Sequence, residues 1–136
     1  MGDELLIMKN MNLKQGDKIK IKGVVKPDAK GFSLNLGSGD ENVVLHFNPR
    51  FDMLGDYRTI VCNSREGGTW CEEQRNTNFP FESEEEAEIS VSLKEGCFEI
   101  KAQAEEMSFP NRMPAEKISM LSIQGDFIVK SFKIET

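Results

Sequence analysis

The sequence predicts an all-β fold, and three observations support this class. Short stretches such as Lys18–Lys22 and Glu88–Leu93 alternate apolar and polar residues, as strands with one buried face do. Turn-forming residues separate these stretches at a spacing of about ten residues. No stretch keeps a helical period, and Pro114–Lys117 is expected to form one short helical turn. Many short strands without helices are typical of a β-sandwich or a barrel.

The strand pattern continues along the whole chain. The candidate strands, in order, cover residues 3–8, 18–22, 31–36, 42–48, 58–63, 70–75, 88–93, 97–101, 118–123 and 126–134. Turns are expected where Gly, Pro or Asp residues cluster, at Lys26–Asp28, Gly37–Asp40, Glu66–Gly68, Lys94–Gly96 and Gln124–Asp126. Because the 136 residues contain no repeat and no linker, residues 1–136 are expected to form a single domain.

Charge and composition exclude several classes of function. The net charge is −6, with 17 Lys and Arg against 23 Asp and Glu, so the basic surface of a nucleic-acid-binding protein is not expected. No apolar segment has transmembrane length, which argues against direct membrane insertion. The densest acidic run, Glu82–Glu86, lacks the spacing of a calcium loop and is interpreted as a solvated turn before a strand.

The expected compartment follows from the cysteines and the N-terminus. Three cysteines form no disulfide framework, which favours reduced thiols. The N-terminus begins with two acidic residues and a short apolar run, Leu5–Met8, which is unlike a signal peptide. We therefore expect a cytoplasmic protein with non-classical secretion to the extracellular space.

The most informative segment runs from residue 46 to residue 75, because it holds the only histidine, His46, and the only tryptophan, Trp70. Side chains alternate between the two faces of a strand. The expected core face of the strand around His46 carries Val43, Leu45 and Phe47. The opposite face is expected to carry Val44, His46, Asn48 and Arg50. Stiff, directional hydrogen-bonding groups on that face differ from the Lys, Glu and Ser of the other solvent-facing strands.

Two following strands extend this polar face if they lie beside the first. Thr59, Val61 and Asn63 share one face of the next strand, and Glu73 and Arg75 share a face of the strand after it. In this arrangement Glu73 would lie between Arg50 and Arg75, with Trp70 at the rim. An aromatic ring beside rigid hydrogen-bonding groups is what a neutral, hydroxyl-rich ligand requires, so we interpret the segment as a sugar-binding site.

Other interpretations of these residues are weaker. An isolated histidine on a strand is usually structural, and an isolated tryptophan in a small β-domain is usually core. The neighbouring Glu72 and Glu73 point to opposite faces, so they do not form the carboxylate pair of a glycosidase. A single histidine with scattered cysteines matches no zinc spacing and does not indicate a Cys–His nucleophile. We therefore expect no catalysis, no metal and no cofactor.

Ordered motifs in the chain resemble the carbohydrate-recognition signature of the galectin family. The motifs are His46–Arg50, Val61–Asn63 and Trp70-x-x-Glu73-x-Arg75. Further segments resemble family positions along the rest of the chain: Pro27–Lys30, Asn35–Gly37, Asn78–Phe81, Phe109–Arg112 and Gly125–Phe127. The length is similar to that of the prototype members, which have a single carbohydrate-recognition domain.

The resemblance implies a galectin-type jelly-roll β-sandwich of two antiparallel sheets that binds β-galactosides, such as lactose and N-acetyllactosamine, without metal. The carbohydrate-binding positions would be His46, Asn48, Arg50, Val61, Asn63, Trp70, Glu73 and Arg75. In the family pattern the His-Asn-Arg row contacts the axial 4-hydroxyl of galactose. By the same resemblance Asn63 and Glu73 would contact the 6-hydroxyl, and Trp70 would stack beneath the ring. Glu73, Arg75 and Arg50 would reach the 3-hydroxyl of the second sugar.

Departures from the family pattern lie at the edge of this set. Leu54 stands where many prototype members have a second histidine, and Cys71 stands where glycine is common. The candidate extended subsite comprises Gly31, Ser33, Leu54 and Asp56. Cys62 is expected to face inward and be inert, whereas Cys71 is expected to be accessible, so that its oxidation would impair binding.

Prototype galectins pair through their terminal strands, and the resemblance therefore implies a non-covalent homodimer that cross-links and agglutinates glycoconjugates. The candidate interface comprises Leu5, Leu6, Ile7, Ile128, Phe132 and Ile134. Exposed edge strands tend to pair, and a twofold pairing closes on itself. The alternative function is that of a galectin-fold structural or protein-interaction protein with weak or no sugar binding.

Overall fold

The fold was analysed in a computed structural model, which describes residues 4–136, with Glu4 and Leu5 in their backbone only. The described residues form strands and no helix, which confirms the all-β prediction. The strands are β1 (Glu4–Met8), β2 (Lys18–Val25), β3 (Phe32–Gly39), β4 (Asn42–Met53), β5 (Asp56–Glu66), β6 (Thr69–Trp70), β7 (Gln74–Asn76), β8 (Glu86–Leu93), β9 (Cys97–Ala102), β10 (Glu105–Pro110), β11 (Met120–Gly125) and β12 (Phe127–Glu135).

The strands form two antiparallel sheets, as expected for a sandwich. The order is β1-β11-β3-β4-β5-β6 in the seven-stranded sheet, where β7 also pairs with β5. It is β10-β9-β8-β2-β12 in the five-stranded sheet. One apolar core lies between the sheets, and its aromatic members are Phe32, Phe47, Phe51, Phe81, Phe98, Phe109 and Phe127. Burial of these side chains removes a large apolar area from water and is the main stabilising contribution to the fold.

Alternation explains why the strands form where they do. In β2, Ile19 and Ile21 are buried in the core, while Lys18, Lys20 and Lys22 lie on the outer face. Such a segment buries one apolar side only if it is extended, because successive side chains then point to opposite faces. The same rule places the polar face of β4 and β5 on the outside of the seven-stranded sheet, opposite the core.

The expected alternation in β4 is wrong at its start, because the strand contains a β-bulge. Leu45 pairs with Leu36 of β3, but the next pair along is Val43 with Gly37, so Val44 has no opposite residue in β3. An extra residue of this kind reverses the alternation on one side of the bulge. Consequently Val44 joins the core cluster, whereas Val43 does not. Gly37 is required here, since an added Cβ would lie 2.1 Å from the Asn42 carbonyl oxygen.

Several element boundaries also differ from the expectation. The expected strand 70–75 is divided into β6 and β7, and β10 was not predicted. Pro114–Lys117 forms a turn in which the Glu116 amide donates to the Met113 carbonyl oxygen, not a helix. Residues 83–84 form a turn before β8, as interpreted from the acidic run. No helix within residues 4–136 has the length and apolar character needed to cross a membrane.

The hairpin between β4 and β5 brings the two main site strands together. Its two-residue turn has positive φ at both positions, 53° at Leu54 and 85° at Gly55. Positive φ at both central residues is the geometry of a type I′ turn, whose twist matches that of the adjoining strands. The turn therefore fixes the register in which the polar faces of β4 and β5 meet.

Replacement of Phe47 by alanine is expected to destabilise the protein strongly. Phe47 is fully buried in β4, on the face opposite the polar row. The Phe47→Ala variant should lose about 3–5 kcal/mol of unfolding free energy, because it leaves a cavity in the core. Urea denaturation measures this loss. The control Tyr57→Ala removes an aromatic ring that is 72% exposed, and it should change stability by less than about 0.5 kcal/mol. Equal losses in both variants would contradict the assignment of the core.

Candidate functional site

The candidate site lies on the outer face of the seven-stranded sheet, where β4, β5, β6 and β7 are adjacent. His46 lies opposite Asn63, and Asn48 lies opposite Val61. Val61 in turn lies opposite Arg75 of β7, and Arg65 lies opposite Trp70 of β6. The adjacency of these strands, on which the predicted polar patch depends, is therefore confirmed.

One open cavity of about 960 Å³ covers this face. Most of the predicted sugar-binding residues line it, namely His46, Asn48, Arg50, Asn63, Trp70, Glu73 and Arg75. Three residues of the predicted extended subsite also line it: Gly31, Ser33 and Leu54. Two predicted residues do not line it. Val61 is fully buried beneath the polar face, and Asp56 accepts hydrogen bonds from Arg50 and Arg75.

Trp70 is at the rim of the cavity and not in the core. Its side chain is 45% exposed, and the centroid of its ring lies 4.7 Å from that of the His46 ring. The guanidinium carbon of Arg65 lies 5.3 Å from the Trp70 ring centroid. The structure therefore excludes the interpretation of the single tryptophan as a core residue. In this position the Trp70 side chain leaves apolar ring surface open to the cavity.

Arg50 is held rigidly although it is almost completely buried, at 7% exposure. Its Nε donates to Asn48 Oδ1 at 2.9 Å, and its Nη1 donates to Asp56 Oδ2 at 2.7 Å. The Asn48 amide donates in turn to the Phe32 carbonyl oxygen at 2.7 Å. A guanidinium with this many partners is fixed before any ligand arrives.

Two carboxylates bridge Arg50 and Arg75. Glu73 lies 2.8 Å from Arg75 and 3.9 Å from Arg50, which confirms its predicted position between the two arginines. Asp56 forms a second bridge, since Arg75 donates to both of its oxygens at 3.1 Å. The hydrogen bond from Arg75, followed by that from Arg50, holds the pKa of Asp56 below its usual value. Asp56 therefore organises the arginine pair.

Arg112 organises the segment between Trp70 and Glu73, although it was predicted only as part of a segment that resembles a family position. Its Nη1 donates to Ser64 Oγ at 3.0 Å, and its Nη2 donates to the Glu72 carbonyl oxygen at 2.7 Å. Asn63 reinforces this arrangement by donating to the Cys71 carbonyl oxygen at 3.1 Å. Because Arg112 follows β10 of the other sheet, alternation within the site strands contained no signal for it.

His46 is neutral at physiological pH. Burial, followed by the charge of Arg50, lowers the pKa of His46 from 6.5 to about 4. Its Nδ1 lies 2.6 Å from Oδ1 of Asn35, a residue of β3 that was not among the predicted site residues. A signal for Asn35 existed, since Gly31, Ser33 and Asn35 alternate with apolar residues in the strand beside the site.

The chemistry of this set is that of hydrogen bonding, not of covalent catalysis. Arginine side chains supply donors, Glu73 supplies acceptors, and Trp70 supplies an apolar surface. Within residues 4–136, no three His, Cys, Asp or Glu residues are grouped so that they could hold a metal ion.

The cysteines are unpaired thiols with different environments. Cys62 is buried, and burial raises the pKa of its thiol to about 12, which accounts for the predicted inertness. Cys71 is exposed and lines the cavity beside Trp70, so its predicted accessibility is confirmed. Cys97 is half-buried. The effect of Cys71 oxidation stays a prediction.

Titration of His46 should occur well below the usual range. Since the folded protein binds this proton less tightly than the unfolded chain does, the stability supplied by neutral His46 is complete above pH 6.5. It is lost as the pH falls through about 4. The ring-proton NMR signal of the only histidine should titrate with a midpoint of about 4.

The control for this prediction is the His46→Gln variant, because carboxylates also titrate at low pH. The difference in unfolding free energy between the wild type and this variant should decrease between pH 6.5 and 4. A midpoint near the ordinary histidine value would contradict the burial of the ring.

Comparison with known proteins places this site in a family. The family model described as galactoside-binding lectin matches residues 5–134. Galectin-1 of Sus scrofa is 48% identical over 131 residues, which cover 96% of this chain and 97% of that protein. Among solved structures, a homodimeric agglutinin from chicken liver has a TM-score of 0.93 and 43% identity, with 97% of this chain and 100% of that chain covered.

A toad ovary galectin in complex with thio-digalactose has a TM-score of 0.92 and 39% identity. The similarity covers 96% of this chain and 98% of that chain. The family match spans nearly the whole chain, and the predicted polar face and sandwich are both present. The chain therefore belongs to the galactoside-binding lectins, the galectins.

Proposed function

We propose that this chain is a metal-independent lectin that binds β-galactosides, such as lactose and N-acetyllactosamine, on glycoconjugates. The observation that carries the proposal is the convergence of Trp70 and a fixed set of polar side chains on one open cavity. The complex of a similar toad galectin with thio-digalactose also supports it. As a member of a lectin family, the chain is not an enzyme.

In this proposal the apolar face of galactose stacks on Trp70, which has an exposed ring at the cavity rim. The axial 4-hydroxyl meets His46, Asn48 and Arg50. Asn63 and Glu73 bind the 6-hydroxyl; Asn63 keeps one amide hydrogen for this purpose, because the other is donated to the Cys71 carbonyl oxygen. Buried Val61 supports this layer from below.

The second sugar would lie over the two bridged arginines. Glu73, Arg75 and Arg50 would contact its 3-hydroxyl, and the ion pairs that join them keep their donors in place before binding. Gly31, Ser33 and Leu54 would shape an extended subsite, for they line the same cavity. Asp56 acts in this proposal through the arginines and not by direct contact.

Selectivity for galactose follows from the rigidity of the row in β4. Arg50 and Asn48 are 7% and 5% exposed and are fixed by each other and by backbone. A sugar whose 4-hydroxyl points elsewhere excludes water from these groups without replacing its hydrogen bonds. Unpaired buried polar groups are costly, and a site of this type therefore rejects the epimer.

The alternative, a structural or protein-interaction protein of the same fold, is less favoured. A protein with that function would need neither an open cavity nor an intact set of sugar-binding residues. In this chain the cavity is open, and seven of the residues that line it belong to the motifs that resemble the family signature.

We also propose that the protein forms a homodimer through the open edges of its two sheets. Within the described residues, β1 pairs only with β11 and β12 pairs only with β2, and these two outer strands contact each other. Ile7, Ile128 and Ile134 are exposed there at 45%, 37% and 37%, respectively. Leu6 and Phe132 pack against the core and are only partly buried, and the Leu5 side chain lies outside the described residues.

A dimer of this kind would place two sugar sites on one particle. Single-site binding of a small sugar is weak, but two sites give avidity and allow cross-linking of glycoproteins. The similar chicken liver protein is described as a homodimeric agglutinin, which supports this assembly.

We further propose that residues 1–136 act as one carbohydrate-recognition domain and that the protein resides in the cytoplasm with non-classical export. The single core cluster supports one domain, which would unfold in a single cooperative transition in calorimetry. The three unpaired cysteines support a reducing compartment. Fractionation of cells and medium, with and without a block of the secretory pathway, tests the location.

The lectin proposal predicts that the protein is retained on immobilised lactose under reducing conditions. Lactose should elute it, and cellobiose, whose single free 4-hydroxyl is equatorial, should not. The Trp70→Leu variant should bind lactose at least about tenfold more weakly in titration calorimetry, because it loses the stacking surface. The control Tyr57→Leu replaces an exposed aromatic residue that does not line the cavity, and its affinity should be unchanged. Failure of the wild type to be retained would refute the proposal.

The dimer proposal predicts that a charge at the paired edges separates the protomers. Ile7→Asp and Ile134→Asp should sediment as monomers and lose agglutination, since each buries a carboxylate in an apolar interface. Their lactose affinity in calorimetry should equal that of the wild type, because the cavity lies elsewhere on the sheet. Tyr57→Asp adds the same charge away from the edges and should stay dimeric. A dimeric Ile134→Asp would place the interface elsewhere.

A further inference from the structure

We infer that Asn35 is a positioning residue that holds His46 in one tautomer, with the proton on Nδ1 and a lone pair on Nε2. His46 would then present a hydrogen-bond acceptor to a sugar hydroxyl. The part of the inference that concerns sugar rests on the proposed function, whereas the tautomer is a property of the protein without ligand.

The geometry of the sheet brings the two side chains together. Asn35 of β3 and His46 of β4 are directly paired in the register, so their side chains share the outer face. The Asn35 Oδ1 lies 2.6 Å from His46 Nδ1. An amide oxygen is only an acceptor, so the proton between these atoms belongs to the imidazole.

Two serines determine which way the Asn35 amide faces. Its Nδ2 lies 3.3 Å from Ser33 Oγ and 3.2 Å from Ser122 Oγ. In this orientation both amide hydrogens are donated to hydroxyl groups, and the oxygen receives the imidazole proton. The reversed amide would donate one hydrogen to His46 and leave the other without a serine hydroxyl as acceptor. The orientation shown satisfies every polar atom of Asn35 and is therefore favoured.

The resulting polar row crosses four strands at one level. Ser122 of β11 is paired with Asn35, Asn35 with His46, and His46 with Asn63 of β5. Ser33 was predicted only as a residue of the extended subsite. The structure gives it a second contact, through which it orients the residue behind His46.

The tautomer matters for what a ligand meets in the cavity. A sugar hydroxyl is both a donor and an acceptor, and it is best satisfied between an acceptor and a donor. Neutral His46 with a lone pair on Nε2 supplies the acceptor, and the guanidinium of Arg50 supplies the donor. Without Asn35 the imidazole would be free to place its proton on Nε2. It would then present an N–H group, and the hydroxyl proton would lose its acceptor.

The test combines nitrogen NMR of the only histidine with lactose titration calorimetry. In the sugar-free wild type, ¹⁵N shifts at neutral pH should show a protonated Nδ1 and an unprotonated Nε2. Asn35→Leu removes the acceptor at similar volume; it should shift the population toward the Nε2–H form and weaken lactose binding by about tenfold. Asn35→Asp keeps an acceptor and should restore both the Nδ1–H form and an affinity within about threefold of the wild type.

The outcomes separate the inference from the proposed function. A wild-type spectrum of the Nε2–H form overturns the inference even if Asn35→Leu does not fold. An unchanged tautomer in folded Asn35→Leu overturns it as well, whatever happens to lactose affinity, because the effect on binding would then be merely structural. If the wild type shows the Nδ1–H form, Asn35→Leu loses it and no variant binds lactose, the positioning role stands and the proposed function fails.

Discussion

A guanidinium group buried on a sheet face needs a fixed counter-charge, and the site depends on how Arg50 obtains one. An isolated charge at 7% exposure would be strongly unfavourable. Asp56 supplies the counter-charge at 2.7 Å and also holds Arg75, while Glu73 completes the group. Because the β4–β5 turn places Asp56 only six residues after Arg50, this pairing is built into one hairpin.

The neutral part of the site follows from the charged part. Burial, together with the positive charge on Arg50, disfavours a second proton on His46, so the imidazole stays uncharged. In a neutral imidazole only one ring nitrogen carries a proton, and Asn35 of the neighbouring strand β3 can then determine which one. The charged and neutral residues of β4 therefore form one electrostatic arrangement, in which the charge of Arg50 helps to determine the protonation of His46.

The sequence predicted the residues on the site face better than it predicted the residues that hold them in position. Period-two alternation located His46, Asn48 and Arg50, because these residues follow one another on a single strand. The bulge at Val44 was not predictable from alternation, since it depends on how β3 and β5 pair with β4. The roles of Asn35 and Arg112 were missed for a related reason. Asn35 acts from the neighbouring strand β3, and its contact with His46 depends on the register between β3 and β4. Arg112 acts from a segment distant in sequence, and its contacts arise only when the two sheets assemble.

The exposed thiol of Cys71 makes the cavity chemically addressable. It lines the cavity beside Trp70, while Cys62 is buried with a strongly raised thiol pKa and Cys97 is half-buried. Once Cys97 is replaced by serine, an environment-sensitive dye coupled to Cys71 would occupy the rim without any new cysteine being introduced. The native chain thus contains the attachment point for an optical reporter of cavity occupancy.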